Sequence, residues 1–188
     1  FVTGGSLLKG SFNVSGATLL DSTLTVTGAS VLNGGATAGA LFVTGGSLLQ
    51  GSLNVSGATL LDSSLTVTGA SVLNGGATTG ALFVTGGSLL KGSLNVSGAT
   101  LLDSSLTVTG ASVLNGGATA GALFVTGGSL FRGDVTVSGA SVLNAGATAG
   151  ALFVTGGSLF QGDVTVSGAS VFNAGATAGS INVTGASW

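Results

Sequence analysis

Few residues in this chain are equipped for chemistry. Its 188 residues include no His, Cys, Met, Tyr or Pro. The charged side chains are Lys9, Lys91 and Arg132 against Asp21, Asp62, Asp103, Asp134 and Asp163. Catalysis by proton transfer or by a nucleophile needs a base beside its partner, or two carboxylates held close together. With no imidazole, no thiol and scattered carboxylates, no catalytic residue is assigned, and the expectation is that the chain is not an enzyme. Asp134 and Asp163 read as solvated turn acids. Lys9-Gly10-Ser11 has the reverse of the order a phosphate-binding loop needs, which is Gly-Lys-Ser. Calcium-binding nonapeptide arrays require an acid in every turn, and most segments here have none. No metal, cofactor or small-molecule substrate is therefore expected. One modification pattern is present. Asn13, Asn54 and Asn95 are followed by Val-Ser and Asn182 by Val-Thr, which makes all four N-glycosylation acceptors in a chain secreted from a eukaryotic cell.

Composition narrows the classes further. Charged residues make up 4% of the chain and hydrophobic residues 44%, with 37 glycines. Disordered chains show the opposite bias, rich in charge and poor in apolar residues. Gly, Ser and Thr interrupt every apolar run well before the ~20 residues of a membrane helix. Nor do the apolar stretches reach the ~9–11 residues of a membrane-barrel strand, so no membrane insertion is expected. A net charge of −2 provides no basic surface for nucleic acid. The pattern is already running at Phe1, without a starting Met, which reads as a piece of something longer.

The elements that must position these residues are repeats. FVTGG begins at Phe1, Phe42, Phe83, Phe124 and Phe153. The single repeat domain 1–188 therefore divides into 41-residue copies 1–41, 42–82 and 83–123, then 29-residue copies 124–152 and 153–181, and a partial copy 182–188. The short copies are long ones with twelve residues removed and the register kept. Within each copy Val-(Ser/Thr)-Gly recurs at a spacing of twelve, as from Val14 to Val26 and from Val43 to Val55, or of seventeen at the end of a long copy, as from Val26 to Val43. Alternation around each Val, rich in β-branched residues and closed by Gly, predicts a short strand. The Gly is expected to supply a positive φ at the corner. An apolar pair such as Leu7-Leu8 or Val31-Leu32 predicts a second strand. Helix is excluded by the glycine density and by the absence of a lasting 3.6-residue stripe. The chain is accordingly expected to be an all-β solenoid of about 14 short rungs, with Val stacked on Val, in a rod of about 65 Å at the ordinary strand spacing.

Stacking at the twelve-residue spacing would place Lys9 against Asp21 and Lys91 against Asp103, with Asn and Gln laddered between them. It would also line up one outward Leu per rung, a continuous apolar patch too large for a soluble monomer. An obligate homo-oligomer follows, either rods packed side by side or three chains intertwined, with the chain itself as its partner. The GGATAG segments at Gly34–Gly39 and Gly116–Gly121, and the matching GGATTG at Gly75–Gly80, are expected to bulge on one side of the rod, as contacts between units or as flexible surface loops. Trp188 stands where Leu or Val normally sits, which suggests a cap or transition.

Units such as SLNVSGATLLDSSLTVTGAS, repeated over the whole chain, resemble the shaft segments of viral and phage fibres and of bacterial surface β-solenoid proteins. That resemblance implies an extracellular or virion-surface location and a structural, self-assembling filament or fibre segment. The alternative is the shaft of an adhesive or receptor-binding fibre. The pairs Thr25/Thr27, Thr66/Thr68 and Thr107/Thr109 also resemble ice-binding solenoids, although Phe42, Phe83 and Phe124 interrupt the hydroxyl plane.

Overall fold

Written in sixes from Ser6, the chain reads SLLKGS, FNVSGA, TLLDST, LTVTGA, SVLNGG. The first and third residues of each six point inward, as with Leu24 and Val26 or Ser30 and Leu32, all buried. The second faces out. This is the period-two alternation of a strand, and most sixes form a short strand followed by a bend, as in Phe12–Val14, Ser30–Leu32 and Ser47–Leu49, while others run through the corner into the next side, as in Thr18–Val26 and Thr59–Val67. In the computed structural model, which describes residues 3–185, twenty-three strands form one sheet with parallel pairing, and the described residues contain no helix. Phe1 and Trp188 lie outside the described residues, and with them the expected cap.

Pairing register gives the length of a turn. Ser6 sits beside Leu24 and Phe12 beside Ser30, an offset of eighteen, while Ser30 sits beside Ser47 and Leu24 beside Leu41, an offset of seventeen. A turn therefore takes three six-residue sides, and the chain is a three-sided parallel β-solenoid. It has about 10 turns rather than the expected 14, which shortens the rod to roughly 50 Å at the ordinary strand spacing. The twelve-residue spacing spans two sides of a turn, not a whole one. The Val-(Ser/Thr)-Gly triplet follows that spacing because Leu-x-Val sides alternate with Ser-x-Leu or Thr-x-Leu sides, so the triplet marks every second side except across an Ala-x-Ala side, where the step is three sides. Stacked residues consequently differ. Val26 lies between Leu8 and Val43, and Thr25 lies under Phe42.

The offset of seventeen arises where a side has five residues: Ala36–Ala40, Ala77–Ala81, Ala118–Ala122, Ala147–Ala151 and 176–180. These are the GGATAG segments, and they are not surface bulges. Ala36 and Ala38 are buried inside the strand Ala36–Val43, and Ala77 inside Ala77–Val84. The missing residue comes out of the corner, where the register slips between Leu20 and Thr23 against Ala38 and Ala40. Nor do the segments share one side. Ala36 stacks on Thr18 and under Leu53, whereas Ala77 stacks on Thr59 in a different column.

The corners explain the glycines, though not by positive φ, which no described glycine adopts. A Cβ on Gly51 would stand 2.6 Å from the backbone carbon of Gly34, and one on Gly69 would stand 2.7 Å from that of Gly51. Glycine stacks on glycine so that successive corners can approach closely. Backbone bonds cross at these bends as well as within strands, as in Gln50 N–H to Leu32 C=O (3.0 Å) and Ser30 N–H to Gly46 C=O (3.0 Å). Chain polar groups are thereby satisfied from turn to turn.

Inside, a narrow core runs the length of the rod, filled by matching large residues to small ones. Leu20 stacks under Ala38 and Leu102 under Ala120. In the shorter copies Phe131 stacks under Ala149 and Phe160 under Ala178. Phe160 also meets Phe172 edge-on, with ring centroids 5.8 Å apart.

Candidate interaction surface

Because seven sides make one 41-residue copy and three make a turn, each long copy ends a third of a turn round from where it began. The outward residues are dealt across all three faces accordingly. On one face the mid-strand residues climb as Thr25, Phe42, Leu60, Thr78 and Asn95. On another they climb as Val31, Leu48, Thr66, Phe83 and Leu101. The expected continuous Leu ladder is therefore absent. Apolar residues occur in groups of two or three, such as Phe42–Leu60 or Phe124–Val142–Leu159, separated by Thr and Asn. Several remain well exposed, among them Leu48 (38%), Leu60 (42%) and Leu101 (43%).

Charge is kept off the faces. Lys9, Asp21, Asp62, Lys91, Asp103 and Arg132 all occupy the fourth position of a six, where one side gives way to the next, and Asp134 and Asp163 the sixth. Lys9, Lys91 and Arg132 stand at bends, whereas Asp21, Asp62 and Asp103 lie within strands that run through the corner. No outward residue that sits between the two inward residues of a side carries a charge. The expected ion pairs do not form as stacked neighbours. Lys9 follows Leu8, which lies beside Val26, so the next turn places Thr27 above it. Asp21 is at a different corner, below Gly39. Lys91 and Asp103 separate in the same way, below Thr109 and Gly121. The Asn–Gln ladder reduces to single steps such as Asn33 below Gln50, with Thr68 above.

A threonine corner that sequence reasoning missed takes the ladder's place. Thr44 Oγ1 donates to Thr27 C=O (2.5 Å), Thr85 Oγ1 to Thr68 C=O (2.5 Å) and Thr126 Oγ1 to Thr109 C=O (2.6 Å). Its signal is legible as LTVTGA at Leu24 followed by LFVTGG at Leu41, once the true turn length is known. At the final five-residue side Ser180 replaces the usual Ala, and its hydroxyl donates to Asp163 Oδ1 (2.6 Å). That bond gives Asp163 a stacking partner beyond its role as a turn acid.

The Thr-x-Thr pairs make no regular hydroxyl plane, since Thr25, Thr66 and Thr107 each stack under a Phe. Two shallow, equivalent depressions form instead. One of about 50 Å³ is lined by Thr25, Phe42, Leu60 and Asp62, and the other, of about 60 Å³, by Thr66, Phe83, Leu101 and Asp103. Asn13, Asn54, Asn95 and Asn182 are exposed within strands, each with its Ser or Thr at the following bend.

No curated protein and no solved structure matches the chain. A family model described as repeats of unknown function (DUF5649) matches residues 132–187, under a third of the chain. Residues 132–187 are thus similar to a known class of repeats, and together with the parallel β-solenoid this fits a structural repeat protein.

Proposed function

We propose that the chain is a non-catalytic structural segment of an extracellular or virion-surface filament, which associates with copies of itself. The observation that carries this is a rod with a continuous apolar core and faces whose central outward positions bear no charge, in a chain with 4% charged residues. A solitary soluble domain of ordinary composition, about 25% charged, would solvate such faces. The reading is tested on the purified 188-residue chain by sedimentation velocity from micromolar to high-micromolar concentration and by cryo-electron microscopy. Concentration-dependent growth into laterally or axially joined rods is expected. A monomer at every concentration would remove the self-association.

A second reading is the shaft of an adhesive or receptor-binding fibre. It is favoured by the break-up of the outward Leu into short groups, which lowers the cost of leaving one rod in water. The acceptor asparagines discriminate between the two. Glycans on Asn13, Asn54, Asn95 and Asn182 would stand on the faces and keep rods apart. Occupancy at these sites, measured by mass spectrometry of chain secreted from a eukaryotic host, supports the isolated shaft, and unmodified asparagines support the filament.

A further inference from the structure

Three bends carry neighbouring residues that can react with each other. Asn33-Gly34, Asn74-Gly75 and Asn115-Gly116 each follow a Ser-Val-Leu strand. We propose that Asn74 and Asn115 are self-modification sites, whose side-chain amides are hydrolysed to carboxylates beneath Lys91 and Arg132. The inference is independent of self-association.

The reaction needs only water. The Gly75 backbone nitrogen gives its proton to solvent and attacks Cγ of Asn74. A bond from that nitrogen to Cγ forms, the Cγ–Nδ2 bond breaks, and ammonia departs with a proton. Water then opens the cyclic imide. Cleavage of the new Cγ–N bond leaves aspartate, and cleavage at the main-chain carbonyl leaves isoaspartate. Either way one amide becomes one carboxylate, with no change of oxidation state. Asn115 and Gly116 react in the same way.

The corner favours the attack. Gly75 and Gly116 present no Cβ to crowd it, and stacking keeps them glycine. A Cβ on Gly75 would stand 2.5 Å from the backbone carbon of Gly57, and one on Gly116 would stand 2.5 Å from the backbone oxygen of Gly98. Asn74 and Asn115 are exposed to water. Among the described residues, the Gly75 and Gly116 N–H groups donate no backbone hydrogen bond. Gly57 and Gly98, directly below them, donate to Gly39 and Gly80 C=O (2.5 Å each). The attacking nitrogen is therefore not tied into the ladder.

The turn above separates two of these sites from the third. Leu73 pairs with Leu90 and Leu114 with Phe131. Asn74 consequently lies under Lys91 and Asn115 under Arg132, about 4.8 Å away at the ordinary strand spacing. Leu32 pairs with Leu49, which puts neutral Gln50 over Asn33. Neither cation has a carboxylate stacked on its other side, where Lys91 meets Thr109 and Arg132 meets Gly150. A cation so placed stabilises the negative charge that develops on Oδ1 during the attack, and then the carboxylate that results. Each conversion adds one negative charge to a chain of net charge −2 and gives one of its three cations a partner.

The test is to incubate the folded 188-residue chain at neutral pH in heavy-oxygen water, which labels every new carboxylate, and to follow the bend asparagines by tandem mass spectrometry. Asn74 and Asn115 are expected to convert about three to five times faster than Asn33, the most that an exposed charge at this spacing supplies. Asn144 and Asn173, followed by Ala145 and Ala174, should remain amides over the same period. Lys91→Gln should slow Asn74 to the rate of Asn33 without affecting Asn115, and Gln50→Lys should raise Asn33 to the rate of Asn74. Both exchanges introduce a residue that an equivalent copy already carries, so the fold is kept. Unfolding in urea removes the stacking and should make the three rates equal. Conversion of Asn74 and Asn115 no faster than that of Asn144 and Asn173 overturns the sites. Rates unmoved by Lys91→Gln and Gln50→Lys overturn the part given to the cations.

Discussion

Ser141 is fully buried, and its hydroxyl has no hydrogen-bond partner. It shares this with Ser112, Ser129, Ser158 and Ser170, which occupy the same inward position on other sides. An unpaired buried hydroxyl costs about 1–3 kcal/mol, so a small apolar residue should do better there. Ser141→Ala is expected to raise the unfolding free energy by about 1 kcal/mol in urea titrations. Ser71→Ala, which breaks the Ser71–Ser88 hydroxyl contact of 3.2 Å, should gain less. Equal gains would mean that the hydroxyl pair contributes nothing. Glycine offers a second contrast. Gly51→Ala drives a Cβ into the backbone of the corner below and should cost about 1–3 kcal/mol, as overpacking does. Gly76 has nothing nearer than 3.5 Å to the added methyl, and its φ is ordinary. Gly76→Ala should be neutral or stabilising by about 0.4–1 kcal/mol through the unfolded chain, as thermal melting would record.

At the level of the single side, the in–out alternation is legible in the residues. Leu-x-Val between glycines reads as a strand with two inward side chains, and Leu24 and Val26 are both buried as that reading requires. How many sides close a turn is not legible. Side-chain patterns report which way a residue points relative to its neighbours in sequence. The number of sides depends on the angle at each bend and on backbone bonds that any residue makes. The alternation of Leu-x-Val with Ser-x-Leu sides has a period of two, while the coil has a period of three, so the most conspicuous sequence spacing is not the structural one. The candidate surface follows the same split. That one residue of each Leu-Leu pair faces outward is readable from the strand period, whereas its distribution over three faces depends on the turn length. The Ala-x-Ala sides read as loops because glycine flanks them on both ends, although their small residues make room for Leu20, Phe131 and Phe160. Deletions test the side as the unit. Removing Leu53–Ala70, three whole sides, should leave a cooperative β-structured rod one turn shorter. Removing only Leu53–Val55 takes out a strand and leaves its bend, so the turn cannot close on three sides and the sides after it lose their stacking partners, which should abolish cooperative melting. Retention of a sharp transition in the second variant would disprove the six-residue side.

For the rod as a whole, stability comes from apolar stacking and from backbone bonds between turns, with the charges spread among different corners. Exposed charges contribute little individually and are screened by salt. Raising sodium chloride from low to physiological strength should therefore leave the midpoint of urea unfolding nearly unchanged. Ammonium sulfate strengthens apolar burial and should promote association at concentrations where sodium chloride does not. A strong loss of stability in sodium chloride would show that the corner charges matter more than their placement indicates.

The five-sided and seven-sided copies have a consequence for heredity. A turn has three sides, so a seven-sided copy carries everything beyond it one bearing forward, and a five-sided copy carries it one bearing back. Slippage that adds or drops a copy in the gene therefore leaves the core undisturbed while swinging the downstream surface to a new compass direction. Three long copies in succession restore the original heading, and so does one long copy followed by one short. Length variation in such a gene is a dial: it re-aims whatever the rod carries without changing the pattern of contacts inside it.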